Sequence, residues 1–240
     1  MACPQASEMV SIAGGEYRPL YINKDFPKTK VKAFLLDIDL VTNQQFYQFV
    51  RRNLQWEKNQ IPSIFTEEGY LKHWSNKSEH WQPNVQIEDL PVTNVSWFSA
   101  DAFCRAEGKR LLTVDEWEYV ARASKKHING NKEESYNQRI LDWYSKPQSS
   151  LASSTLKANY NFWGVNQLHG VVWEWTEDFN SSLVNGESRN DSSIDSKLFC
   201  AAGAAGSADP SNYAAFMRFG FRSSLQAKFT LGSLGFRCAK

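Results

Sequence analysis

Long apolar runs are missing from this chain of 240 residues, and no stretch approaches the roughly 18 residues that a membrane-spanning helix requires. An excess of charge of either sign is missing as well. The 27 basic and 26 acidic residues leave a formal charge of +1, so no face is built for nucleic acid or for an anionic membrane. The four cysteines, Cys3, Cys104, Cys200 and Cys238, are too few for a disulfide scaffold, and their spacings match no zinc template. Internal repeats and low-complexity tracts are absent, and the 13 glycines and 8 prolines are scattered instead of pooled in a linker. These absences exclude a polyanion-binding module, a solenoid and a string of small domains, and leave one domain over residues 1–240. The opening residues, Met1 to Val10, lack a charged region followed by an apolar one, so the chain as written is expected to be soluble. Cys3 follows a small residue, as a lipid-modified cysteine does, and a lipidated start stands beside an ordinary one.

With 42% hydrophobic and 14% aromatic residues, a chain of this length can bury a full core without metals or oligomerisation. Met9 to Tyr17 reads as a strand entering a turn at Gly14-Gly15, and Val31 to Asp39 as a second strand. Thr42 and Gln45 form a capping box ahead of Phe46, Phe49 and Val50 at helical spacing, with Asn53 as the stop. A second helix is expected from Ser96 to about Glu107, presenting Trp97, Ala100, Phe103 and Cys104 on one face and ending at Gly108. Thr113 and Glu116 repeat the capping box and start a short helix through Trp117, Val120 and Ala121. The polar stretches 124–161 and 180–196 read as long surface loops. Short aromatic runs, Val171 to Trp175 and Leu234 to Cys238, suit short strands. The fold class is α+β, with few helices and much irregular structure.

Four separated segments then carry a resemblance, in order. They are MVSIAGGEY from Met9, FLLDIDLVTNQQFYQFV from Phe34, PVTNVSWFSADAFCRAEGKRLLTVDEWEYVARA from Pro91, and LHGVVWEWTEDF from Leu168, with the ending Gly235-Phe236-Arg237-Cys238-Ala239 behind them. Together they resemble the formylglycine-generating enzyme (sulfatase-modifying factor) superfamily over about two thirds of the chain. The resemblance implies a decorated C-type-lectin-like α+β domain with little regular secondary structure.

The resemblance also implies sites. It implies a disulfide between Cys104 and Cys238, with two buried free thiols as the alternative, and the bond in turn implies an oxidising, periplasmic or otherwise extracytoplasmic compartment. The family's reactive pair of thiolates, soft ligands for copper(I), should fall near Asp209 and Ala214, and neither residue is a thiol. Formylglycine synthesis is therefore not expected. Cys200 is the remaining thiol in that neighbourhood. It stands as a candidate reactive thiol or copper(I) ligand against the plain reading of a cysteine filling core volume. A calcium site of the family maps by position onto Gln167, Gly170, Val172 and Glu174, while the family's second calcium segment has no counterpart after Arg122. His169 reads as a core histidine. His73 and His80 flank Trp74 and Trp81 in what reads as a solvated aromatic lid, with a metal site built by the folding of that loop as the alternative. The iron-binding histidine motif of the sulfoxide-synthase relatives is missing. The stretch from Ser207 to Phe219 resembles a bacterial subgroup encoded beside copper nitrite reductases, which implies a cuproenzyme or another exported protein as partner. Three functions stay open: an extracytoplasmic accessory protein that handles copper, a metal-dependent oxidoreductase acting on a thiol, and a protein-binding scaffold whose aromatic loops, Trp74 to Trp81 and Trp143 to Tyr160, form its surface.

Overall fold

A computed structural model describes residues 7–19, 28–77, 80–130, 133–145, 158–180 and 210–240. Its main sheet has the strand order β1 (Met9–Ile12), β4 (Phe34–Asp37), β10 (Cys238–Ala239), β7 (Arg110–Leu111). All pairings in it are antiparallel, with Met9 opposite Asp37, Ala239 opposite Leu36 and Cys238 opposite Leu111. The end of the chain therefore lies between two segments from its first half. A small hairpin joins β2 (Gly15–Tyr17) to β3 (Thr29–Val31). The expected strand over Val31 to Asp39 is thus two strands. A Cβ at Gly14 would stand 2.7 Å from the Ala33 nitrogen and 2.8 Å from the Val31 carbonyl oxygen, so the chain crosses itself where only glycine fits.

The three helices read from capping signals are present. Helix α1 (Asn43–Arg52) has the complete Thr42–Gln45 capping box and closes at Asn53. Helix α2 (Trp97–Ala106) starts from Ser96, and Gly108 beyond it adopts φ +68°, the left-handed conformation that ends helices. Helix α3 (Val114–Ala121) carries the second capping box, from Thr113 and Glu116. Phe46, Phe49, Phe103, Phe236 and Trp175 form the centre of the core that α1 and α2 bury. Each such ring contributes about 1.5–3 kcal/mol by leaving water. A second cluster packs Ile12, Leu36, Leu112, Tyr119, Val120 and Val165.

One further helix corrects the sequence reading and another adds to it. Helix α4 (Glu134–Ser145) lies within the stretch expected to be loop. Its surface is polar, but Tyr136 and Ile140, four residues apart, are buried against Ala214. Helix α5 (Pro210–Ser223), over which the sequence reading assigns no element, packs on α4. The stretch 181–196 lies outside the described residues. Strands β8 (Trp173–Glu174) and β9 (Leu234–Gly235) pair in parallel, and a hairpin links β5 (Ser75–Lys77) to β6 (His80–Gln82).

Candidate functional site

Helix α5 carries Ala214, the residue the sequence resemblance maps near the family's second reactive thiolate. Its methyl group is buried with Tyr136 and Ile140 of α4. One turn further along, Arg218 donates from Nε and Nη2 to the two Glu118 oxygens at 2.8 and 2.7 Å, and Arg222 donates from Nη1 to Glu118 Oε1 at 2.7 Å. All three side chains are buried. Both guanidiniums also lie over the Trp117 ring, 5.5 and 4.7 Å from its centre. Burial alone pushes the Glu118 carboxyl up, but the two arginines outweigh it and hold the carboxyl at about 2. The triad is thus charged and two cations share one anion.

His169 closes the same neighbourhood. Its Nε2 donates to the Ala121 carbonyl at 3.0 Å, and its ring meets Trp117 and Tyr136 edge-on. Burial, reinforced by the Arg218 charge, lowers it to about 3, so it is a neutral packed imidazole, as the sequence reading has it. A cavity of about 30 Å³ remains between these groups, lined by Glu118, Arg122, Tyr136, His169, Ala214 and Arg218 among others. Its described lining carries guanidiniums and one carboxylate and holds no sulfur. A soft monovalent copper ion needs thiolates, and Ala214 offers a methyl group beside guanidinium charge. Asp209, Cys200 and Cys3 lie outside the described residues.

The residues expected to hold calcium do not fit that ion. Both Glu174 oxygens accept from Arg237, Oε2 from Nε at 2.9 Å and Oε1 from Nη2 at 3.0 Å. Arg237 is fully buried, and it also donates to the carbonyls of Ile38 and Asn166 at 2.7 and 3.0 Å. A dication at Glu174 would have to displace or face this guanidinium. Gln167 is buried with φ +52°, Gly170 has φ +106° and Val172 is buried, so the segment turns sharply ahead of Glu174. Among the described residues no group of three or more His, Cys, Asp or Glu side chains is disposed to hold a metal ion.

Cys104 of α2 and Cys238 of β10 are joined in a disulfide, their Cα atoms 5.6 Å apart and 134 residues apart in sequence. The aromatic lid is not observed. Trp74 is buried in the main core and its Nε1 donates to Asn43 Oδ1 at 2.8 Å, an oxygen that His73 Nε2 also reaches at 2.9 Å. His80 Nδ1 instead lies 3.0 Å from Oε1 of the buried Glu57. A larger groove of about 410 Å³ borders β4 and α1 and is lined by Glu8, Asp37, Asp39 and Asp89. Asp37 there is matched by Lys109 at 2.6 Å, and Asp39 accepts from Asn166 at 2.8 Å.

The Glu118 triad was not anticipated from the sequence. Its signal was present as two arginines four residues apart, Arg218 and Arg222, in an otherwise apolar segment, since buried arginines require an acid partner.

The chain is similar to known proteins over most of its length. The family model described as sulfatase-modifying factor enzyme 1-like domain matches residues 2–240. Over 228 residues the chain is 29% identical to inactive C-alpha-formylglycine-generating enzyme 2 of Mus musculus, a match covering 73% of this chain and 72% of that protein. Over 188 residues it is 30% identical to the formylglycine-generating enzyme of Streptomyces coelicolor, covering 69% and 60% of the two chains. The crystal structure of CarF superposes with a TM-score of 0.49 at 16% identity, covering 98% of each chain.

Proposed function

We propose that this chain, which belongs to the sulfatase-modifying factor enzyme 1-like family, does not make formylglycine and acts instead as an extracytoplasmic accessory protein that recognises a protein partner. The observation that carries the reading is Ala214. By position this buried methyl group takes the place of the family's thiolate, and it is flanked by the Glu118–Arg218–Arg222 triad and a neutral His169. The similarity to a relative named as inactive supports the same reading. The Cys104–Cys238 disulfide supports an oxidising compartment, because such bonds persist in exported proteins and are rare in the cytosol.

A cuproenzyme or other exported protein is the partner class we favour, and copper(I) handling is a separate proposal resting on Cys200 alone. A copper(I) titration against a chelating competitor, run on the native protein and on Cys200→Ser, tests it. Binding abolished by the substitution supports copper handling, and binding indifferent to it removes that role. The alternative of a thiol oxidoreductase is tested by oxygen uptake with copper(I) and a cysteine-containing peptide. The recognition reading predicts uptake no faster than with copper and peptide alone, and protein-dependent uptake would overturn it.

A further inference from the structure

Arg122 is the C-cap of α3. Its guanidinium lies over the rings of Tyr119 and Tyr17, 4.6 and 5.7 Å from their centres, and its Nη2 reaches the Glu16 carbonyl only at 3.5 Å, the outer limit of a hydrogen bond. Its Nε is buried with no acceptor. Among the described residues no carboxylate pairs with it, whereas Arg110, Arg218, Arg222 and Arg237 each have one. Burial lowers its proton affinity, and the only groups acting the other way are the two tyrosines. A guanidinium half out of water with an orphaned donor is costly unless an anion visits it.

Arg122 lines the cavity beside Ala214. Among the described residues lining it Glu118 is the one carboxylate, and it is already shared by Arg218 and Arg222. The volume of about 30 Å³ admits about two water-sized atoms, at roughly 10–15 Å³ each. Two oxygens on one carbon fill such a space, and a guanidinium fork matches them in shape.

We propose that this cavity is a carboxylate-binding site in which Arg122 donates to an incoming carboxylate. The carboxylate comes from a peptide C-terminus, an acidic side chain or a free small acid. This rests on the recognition reading and gives it a chemistry, since a partner would present an acidic group where the catalytic members of the family present thiolates.

The test follows the arginine Nε–Hε signals of the ¹⁵N-labelled full chain by NMR during titration with acetate and, separately, with acetamide, its uncharged isostere. The Arg122 signal, identified by its loss in Arg122→Gln, should shift saturably with acetate and stay in place with acetamide. Arg122→Gln should weaken acetate binding at least tenfold, and Arg122→Lys, which keeps the charge and loses the fork, should fall between. Three further ligands distinguish the source: a short peptide with a free C-terminus, the same peptide amidated, and an amidated peptide with one internal aspartate. Tighter binding of the first or of the third assigns a chain end or an acidic side chain, and acetate binding alone assigns a small acid. No saturable shift with acetate, equal shifts with acetamide, or an unaffected Arg122→Gln overturns the site. Should Arg122→Gln fail to fold, the acetate and acetamide contrast on the native protein still decides. Oxygen uptake reports on the functional reading independently of these titrations.

Discussion

Replacing Glu174 with Gln separates two incompatible roles for that carboxylate. Among the described residues it is the carboxylate paired with Arg237, a fully buried guanidinium whose other acceptors there are backbone carbonyls. Removing one partner of a buried pair costs about 3–5 kcal/mol, because the other charge is left uncompensated. For a chain of this size each kcal/mol lowers the melting temperature by about 2–4 °C, so Glu174→Gln should melt about 10 °C below the native protein. That is a large share of a typical stability of about 5–15 kcal/mol. The assay is thermal and urea unfolding of both proteins, each with calcium and with a chelator. Calcium binding to the native state would raise the melting temperature by mass action. The arrangement around Arg237 predicts no such rise in either protein and the full loss in Glu174→Gln under both conditions. A saturable rise with calcium that disappears in Glu174→Gln, or a substitution cost under about 1 kcal/mol, would refute the reasoning.

Other perturbations read other parts of the fold. Reducing the Cys104–Cys238 bond opens a loop of 134 residues, nominally worth about 5 kcal/mol of chain entropy, and a reductant should lower the urea midpoint clearly; an unchanged midpoint would show that the bond does not constrain the unfolded chain. Burial depresses His73 from 6.5 to about 4 and His169 from 6.5 to about 3. The unfolded chain therefore binds protons below pH 6.5 that the native one refuses, and stability is full above 6.5 and falls from there toward pH 4, by about 1.4 kcal/mol per pH unit for each histidine. Below 4.5 the protonation of Glu118, held at about 2, steepens the loss in the same direction; unfolding free energies that are flat between pH 7 and 5 would contradict both histidine assignments. Asn43→Ala removes the acceptor of Trp74 Nε1 and the amide that donates to the carbonyls of Leu90 and Pro91. With those groups orphaned it should cost about 3 kcal/mol in urea unfolding, against near-neutrality if the hub were solvated.

Local signals carried the sequence reading well. Both capping boxes are confined to a few consecutive residues, so Thr42–Gln45 and Thr113–Glu116 announced α1 and α3 without tertiary context. The Gly108 terminator acts over a similar range. The failures occur where partners are distant. Polar composition outweighed the Tyr136 and Ile140 spacing in α4, and only burial against Ala214 of α5 reveals that spacing as a packed face. Trp74 looked like part of a solvated lid because its acceptor, Asn43, lies 31 residues earlier. Glu174 looked like a calcium ligand because Arg237 lies 63 residues later. The acid of the Glu118 triad is 100 residues or more from its bases. A buried charge cannot be matched to its partner until the chain has folded.

We propose that the site does not carry out formylglycine chemistry. Its most direct test is to incubate the copper(I)-loaded protein in air with a cysteine peptide of the sulfatase type, and to look by mass spectrometry for the aldehyde product. The Streptomyces coelicolor formylglycine-generating enzyme, run in parallel, supplies the positive control. With a buried methyl group at position 214 the peptide should retain its cysteine while the control converts it. Turnover to formylglycine by this chain would contradict the account.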